Sequence, residues 1–295
     1  MKVLVAGWFS FEGMGATAGD LLSRDLVVEW LREAGAPCEV AVAAPFEGGI
    51  DLGRCDAASF THVVFVCGPF GNGPPITEFL KRFGHCRLFG LNLSMLQSLQ
   101  EWNPFEFLHE RDSDRASHPD LVFIAARASV PVVGSVLVHP QKEYGARGSH
   151  SIANAAIERL LARRTVARVA IDTRLDLNAT GLRTPVEVES LLARMDVIVT
   201  TRLHGLVMAI RNGIPVLAID PITGGAKILR QAQTIGWPLA FRPEAVDDAA
   251  LDAAFDHCLT PQAREAALAC RQRAGELLAD AQHRFEAALL RTRAP

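Results

Sequence analysis

Residues 196–205 read Asp-Val-Ile-Val-Thr-Thr-Arg-Leu-His-Gly, residues 212–221 read Asn-Gly-Ile-Pro-Val-Leu-Ala-Ile-Asp-Pro, and residues 224–227 close the stretch with Gly-Gly-Ala-Lys. Two short apolar runs, each bounded by turn-forming residues and separated by one helix length, are the signature of parallel strands joined by a crossover helix. The spacing predicts strands at Asp196–Thr200 and Pro215–Asp220, a helix after His204 and another from about Gly225 to Gly236. Arg202, Leu203, His204 and Gly205 then form the turn from strand into helix. In open α/β sheets, ligands bind at the carboxyl ends of the strands, so Arg202 and His204 stand where a ligand would lie.

The same alternation extends in both directions. Toward the amino end it predicts a strand at Val3–Ala6, a turn rich in glycine (Gly13, Gly15, Gly19) and an amphipathic helix from Asp20 to Glu33 closed by Gly35. Further strands are predicted at Cys38–Ala43, His62–Cys67, Arg87–Leu91 and Leu121–Ala125. Ser129–Tyr144 holds Pro131 and Pro140 without helical periodicity and reads as an interdomain crossing. Beyond it come a helix near Ser151–Ala162, a strand at Arg168–Asp172 and a helix near Pro185–Ala193. The tail from about Pro261 to Leu290 reads as one long helix packing across the domains. The fold expected is α/β, with two Rossmann-like doubly wound domains facing across a cleft, residues 1–134 and 135–295, the second carrying the C-terminal helix.

The 295 residues are 49% hydrophobic and 21% charged, which disfavours a disordered, collagen-like or coiled-coil chain. A net charge of −3 supplies no basic field for a nucleic-acid partner. No run approaches the roughly 20 apolar residues of a membrane span, and the apolar opening is too short for a signal peptide, so a cytoplasmic location is expected. Cys38, Cys55, Cys67, Cys86, Cys258 and Cys270 show no metal-ligand spacing and read as reduced thiols.

Charge is unevenly distributed. Between His139 and Arg230 there are 13 Lys plus Arg against 8 Asp plus Glu, so the second domain is locally cationic. Arg supplies a planar fork for phosphate or carboxylate, and His exchanges protons near neutral pH, so Arg202 and His204 suit an anionic substrate. Asp220, Gly224, Gly225 and Lys227 form a loop opening a helix, able to offer amides and an ammonium to an anion. Arg174 follows a strand and can equally contact a ligand or brace its loop, and Arg183 is similar. Arg159, Arg163 and Arg164 read as a solvated helix face.

Thr-Thr-Arg-Leu-His-Gly-Leu-Val-Met-Ala-Ile, with Asn-Gly-Ile-Pro-Val-Leu-Ala-Ile-Asp and the later Lys227, resembles the signature of the polysaccharide pyruvyl transferase family. The amino-terminal Gly13-Met14-Gly15-Ala16-Thr17-Ala18-Gly19-Asp20 resembles that family's opening glycine-rich loop, so the likeness runs over roughly residues 1–240. It implies a glycosyltransferase-B-like pair of domains, the first on the acceptor side and the second holding the donor. It also implies transfer of the carboxyvinyl group of phosphoenolpyruvate onto two hydroxyls of a sugar, giving a pyruvate ketal and phosphate.

On that chemistry His204 and Arg202 are the catalytic candidates, with Asp172 as base or turn cap and Asp176, Glu143 or His150 as other bases. Arg174, Arg183, Lys227, Gly224 and Gly225 are donor-binding candidates. Gly15, Thr17, Gly19 and Asp20 could cradle an anion or make a turn. His139, Gln141, Tyr144 and His150 lie on a loop suited to sugar recognition, or to a solvated linker. No cofactor beyond phosphoenolpyruvate as donor substrate is implied, and no metal is demanded, the scattered His62, His85, His109 and His118 being incidental. The partner expected is a sugar or glycan acceptor, with lipid linkage and a homo-oligomer both left open. The alternatives are a glycosyltransferase using a nucleotide-activated sugar, and a non-catalytic relative.

Overall fold

Strands buried on both faces need near-continuous apolar sequence, and the opening strand β1 (Val3–Gly7) is buried at every position. The computed structural model describes residues 1–139 and 142–290, without the side chains of residues 142–144. They divide into two units, Met1–Ala128 and Ser129–Pro295.

The first unit comprises β1, α1 (Ala18–Glu33), β2 (Cys38–Val42), β3 (Ile50–Asp51), β4 (His62–Phe70), α2 (Ile76–Arg82), β5 (Arg87–Met95) and β6 (Phe107–Asp112). The strands pair in parallel in the order β3-β2-β1-β4-β5-β6. Alternate residues serve opposite faces. Val3 and Val5 pack with Leu26 and Val27 of α1, whereas Leu4 and Ala6 pack with an aromatic cluster including Phe65, Phe70, Phe79 and Phe83.

Three strand assignments of this unit differ from expectation, the short edge strand β3 being one that was not foreseen. Leu121–Ala125, expected to be a strand, is a 3-10 turn over Leu121–Ile124. Asp120 caps it by accepting the Val122 amide, and Phe123 and Ile124 stay exposed, so the run has no second face to bury. The sixth strand is β6, whose His109-Glu110-Arg111-Asp112 carries no apolar signature. His109 and His118, read as incidental, lie in tilted contact with ring centroids 4.5 Å apart.

Glu110 is 1% exposed. It accepts two bonds from Arg115, each 2.8 Å, and one from Ser113. Arg115's bonds outweigh burial and hold the carboxyl at about 2, against an ordinary value of 4.5. A depressed carboxyl stabilises the fold above its unfolded value, and that contribution fades as pH falls toward the folded value. Acid unfolding should therefore show a loss of about 3 kcal/mol between roughly pH 4.5 and pH 2. In Glu110→Gln, denaturant melts across this range should lose that pH dependence; an unchanged acid limb would show that Glu110 does not set it.

The second unit comprises β7 (Val132–Val136), α3 (His150–Ala162), β8 (Ala167–Ala170), α4 (Pro185–Leu192), β9 (Val197–Thr200) and α5 (Leu203–Arg211). It continues through β10 (Val216–Ile219), α6 (Lys227–Ile235), β11 (Ala240–Phe241), α7 (Asp248–Cys258), α8 (Pro261–Leu278) and α9 (Ala281–Leu289). The expected boundary at 134/135 would cut β7, a central strand of this sheet; the unit begins at Ser129. All pairings are parallel, in the order β11-β10-β9-β7-β8.

The chain switches direction between β7 and β9. Helix α3, which follows β7, packs with α7 on one face, through Ile157, Leu160, Val197, Val199, Leu251 and Phe255. Helix α5, which follows β9, packs on the other face with α4, α6 and α8. Diverging helices leave a crevice at the carboxyl ends of β7 and β9, the ligand position of open α/β sheets.

The tail is two helices rather than one, broken at Ala279–Asp280. Helix α8 buries Ala263, Ala267 and Cys270, whereas α9 has no buried residue. Arg159, Arg163 and Arg164 are not simply a solvated face: they pair with Asp248, Asp252 and Asp256 of α7 and tie α3 to it. All six cysteines are free, and burial pushes the Cys258 thiol up to about 12.

Candidate functional site

The crevice is built from the ends of β7, β8 and β9. Thr200 and Thr201 are fully buried at the end of β9, where two hydroxyls need partners. Thr200 Oγ1 donates to the Val136 carbonyl (2.8 Å) and accepts the Arg202 amide (2.9 Å), tying the turn to β7. Thr201 Oγ1 donates to Asn154 of α3 (2.7 Å) and accepts the Val138 amide (2.9 Å), while Asn154 donates to the Val138 carbonyl (3.1 Å). The residue this network delivers to the crevice is His139.

Glycine is required one residue after His204. A Cβ on Gly205 would lie 2.2 Å from Thr200 Oγ1 and 3.1 Å from Val136 Cβ, so α5 seats against β9 and β7 only without a side chain there. Arg202 is the N-cap of α5 and makes no side-chain cap. The amides of Leu203, His204 and Gly205 find no acceptor among the described residues, leaving the positive end of the helix dipole open.

The Arg202 guanidinium, mostly buried, lies 3.3 Å from Thr173 Oγ1 and 3.5 Å from Asp172 Oδ1. Asp172 sits two residues beyond β8 with its side chain 7% exposed. It accepts the amides of Arg174 (2.9 Å) and Ala179 (3.3 Å), and His139 Nε2 lies 3.7 Å from its second oxygen. Burial raises the Asp172 carboxyl, but the two amides together with Arg202 and His139 bring it below the ordinary aspartate range. A carboxylate so held is a weaker proton acceptor than a free one; it faces Arg202 on one oxygen, and the half-exposed His139 lies beyond hydrogen-bond distance of the other. Asn178 braces this turn, donating to the carbonyls of Asp172 (2.8 Å) and Arg174 (2.6 Å). His139, Arg174, Leu177, Asn178 and Ala179 line an open cavity of about 570 Å³. His204 is exposed in the first turn of α5.

Other candidates are already engaged. Arg174 binds Asp176 through two 2.7 Å bonds, which hold the Asp176 carboxyl at about 2 and argue against it as a base. Arg183 is exposed before the capping box of Thr184 and Glu187 that opens α4. The loop before α6 is not an open amide cradle. Asp220, fully buried, accepts the amides of Ala226 (2.8 Å), Ile228 (3.1 Å) and Leu229 (3.2 Å), so its carboxylate occupies the helix end that an anion would need. Gly224 donates its amide to Glu244 and Gly225 to the Ile222 carbonyl; both serve the turn through positive φ. Lys227, the half-buried first residue of α6, is itself engaged within the molecule.

The amino-terminal loop is corrected for the same reason. Asp20 accepts both the amide and the hydroxyl of Thr17 at 2.7 Å, capping α1 with a negative charge, and Gly19 lies inside that helix. Gly15 sits at φ +74 in open space, a turn requirement. The first unit carries instead a cavity of about 1180 Å³ lined by Phe11, Phe46 and Phe79 with Glu12, Glu47 and Glu78 among others. His150 is buried at the start of α3. Gln141 and the side chains of Tyr144 and Glu143 lie outside the described residues. Among the described residues, no three His, Cys, Asp or Glu side chains are grouped to hold a metal ion, and no helix is long and apolar enough to cross a membrane.

Thr173, Asn178 and Asn154 escaped sequence reasoning. Asn178 carried a signal, the turn-forming Asn-Ala-Thr-Gly; Asn154, a polar residue inside a helical pattern, carried none.

Residues 136–221 match the model of the polysaccharide pyruvyl transferase family. The match starts at the last residue of β7, ends just after β10 and does not reach the glycine-rich loop at residues 13–20, whose likeness had been expected to extend it. A comparison with the curated proteins returns no match. Among solved structures, the chain is 15% identical to the spinosyn forosaminyltransferase SpnP, covering 97% of this chain and 99% of that one, with a TM-score of 0.35. It is 14% identical to the spinosyn rhamnosyltransferase SpnG complexed with thymidine diphosphate (96% and 100% covered, TM-score 0.35). For MurG of Acinetobacter baumannii the identity is 11% (92% and 95% covered, TM-score 0.33).

Proposed function

We propose that this chain is a polysaccharide pyruvyl transferase, moving the carboxyvinyl group of phosphoenolpyruvate onto two hydroxyls of a sugar and releasing phosphate. The observation that carries this reading is the open N-terminus of α5 with Arg202 held over buried Asp172, inside the segment matching the family. Phosphoenolpyruvate carries a carboxylate and a phosphate, and an arginine fork beside free helix amides binds such a group.

His204 is the proton donor to the methylene carbon, which makes the neighbouring carbon electrophilic. His139, beside Asp172, accepts the proton of the attacking hydroxyl. The carbon–oxygen bond to phosphate then breaks, the second hydroxyl adds, and the ketal closes. Of the two hydroxyl protons, one is balanced by the new methyl group and the other leaves with phosphate. The first unit's cavity offers aromatic faces and carboxylates that suit a polyhydroxylated ring.

Calorimetry with phosphoenolpyruvate and with uridine diphosphate tests the reading on the wild-type chain. Binding of phosphoenolpyruvate without uridine diphosphate is expected. The reverse pattern would replace pyruvyl transfer with glycosyl transfer from a nucleotide-activated sugar.

A further inference from the structure

An imidazole nitrogen buried without a hydrogen-bond partner is costly, and such groups mark places where something is bound. His150, the first residue of α3, is 8% exposed, and its Nε2 is buried with no partner among the described residues. The ring lies against the turn that opens the helix: a Cβ on Gly148 would come within 2.9 Å of Nδ1 and 3.0 Å of Cε1. Ser149 anchors that turn, donating its amide to the Pro221 carbonyl (2.8 Å) and pairing its hydroxyl with Thr223 (2.8 Å).

Helix α3 is also uncapped. Ser149 makes no side-chain cap, and the amides of His150, Ser151 and Ile152 find no acceptor among the described residues. Elsewhere in this unit Thr184 caps α4, Asp220 fills the end of α6, Asp247 caps α7 and Thr260 caps α8. Helices α3, α5 and the exposed α9 lack such a cap, and of these α3 and α5 follow the strands flanking the crevice. Arg147, exposed just before the turn, has no ion-pair partner among the described residues and adds positive charge.

We infer that the opening turn of α3 is a second anion subsite, with His150 Nε2 and the first-turn amides as donors and a phosphate group as ligand. Three terminal oxygens can take up the imidazole, the free amides and an arginine together, which a carboxylate with two cannot. Gly145 and Gly148 carry no side chain over this turn, and a Cβ on Gly148 would crowd the ring. Assigning the ligand to the donor's phosphate, with the carboxylate at Arg202, rests on the proposed function; the subsite itself does not.

The test is imidazole nitrogen NMR on the full-length chain labelled at histidine, with the His150 resonances assigned through His150→Gln. Inorganic phosphate and phosphoenolpyruvate should both shift the His150 Nε2 resonance, and pyruvate should not. By calorimetry, His150→Gln should bind inorganic phosphate about tenfold more weakly, with the affinity for pyruvate unchanged. A His150 resonance unmoved by phosphate, or wild-type phosphate affinity in the variant, overturns the subsite; if none of the nine histidine side chains moves with phosphate, that result needs neither an assignment nor a folded variant. Phosphate that shifts His150 in a chain that never consumes phosphoenolpyruvate would keep the subsite and remove the donor reading. Turnover of phosphoenolpyruvate with an unmoved His150 would do the reverse.

Discussion

Arg202→Ala should weaken phosphoenolpyruvate binding by roughly 10- to 100-fold in a calorimetric titration, the loss expected for one charge-assisted contact to an anion. The substitution also strips Asp172 of the cation 3.5 Å from its oxygen, leaving a buried carboxylate with its amide bonds and His139 alone. Arg202→Lys should not restore affinity, because a single ammonium cannot reach Thr173 and Asp172 while presenting a planar fork outward. His204→Ala should behave differently: it removes a proton donor, so turnover should fall by about 100-fold or more while phosphoenolpyruvate still binds. Wild-type affinity in Arg202→Ala would remove the crevice of the second sheet from the proposed site.

Gly205→Ala should cost about 2–3 kcal/mol and lower the melting temperature by roughly 5–10 °C, the range expected for overpacking a buried contact in a unit of this size. The new methyl would meet Thr200 Oγ1 at 2.2 Å and Thr200 Cβ at 2.9 Å. Thr200 cannot yield cheaply, because its hydroxyl links the Val136 carbonyl to the Arg202 amide. Relief must come from moving α5, and with it Arg202 and His204, so donor binding should fall along with stability. Gly275→Ala is the internal control. A Cβ there meets nothing within 4 Å in the last turn of α8, so the change should be neutral or stabilising by up to about 1 kcal/mol. Equal melting temperatures for the two variants would contradict the packing described at Gly205.

How much could be read in advance follows from which interactions are local. The strands β1, β4, β9 and β10 were legible because burial on both faces demands continuous apolar residues, the helices α1 and α4 because their caps and periodicity are encoded within a few residues, and α3 from its periodicity alone. Arg202 and His204 could be placed at a strand end from the apolar run before them and the helical pattern after. Strand β6 was hidden by its charges, which burial of Glu110 tolerates only through Arg115. The apolar Leu121–Ile124 misled because hydrophobicity alone cannot say whether a neighbouring strand is present to pair with it.

The sequence by itself determined the α/β class, the existence of two units, and the strand-to-helix turn that carries Arg202 and His204. Only the tertiary structure decided which helix ends are open to an anion. Asp20 and Asp220 are carboxylates beside glycine-rich loops, and whether such a group faces a ligand or fills its own helix end depends on side-chain geometry that spacing does not record. Pairing Asp172 with Arg202 and His139, about 30 residues away on either side, depends on the order in which β7, β8 and β9 lie in the sheet. Strand order is set by how the crossover helices bury their faces against one another, an interaction between distant segments that no local run of residues contains.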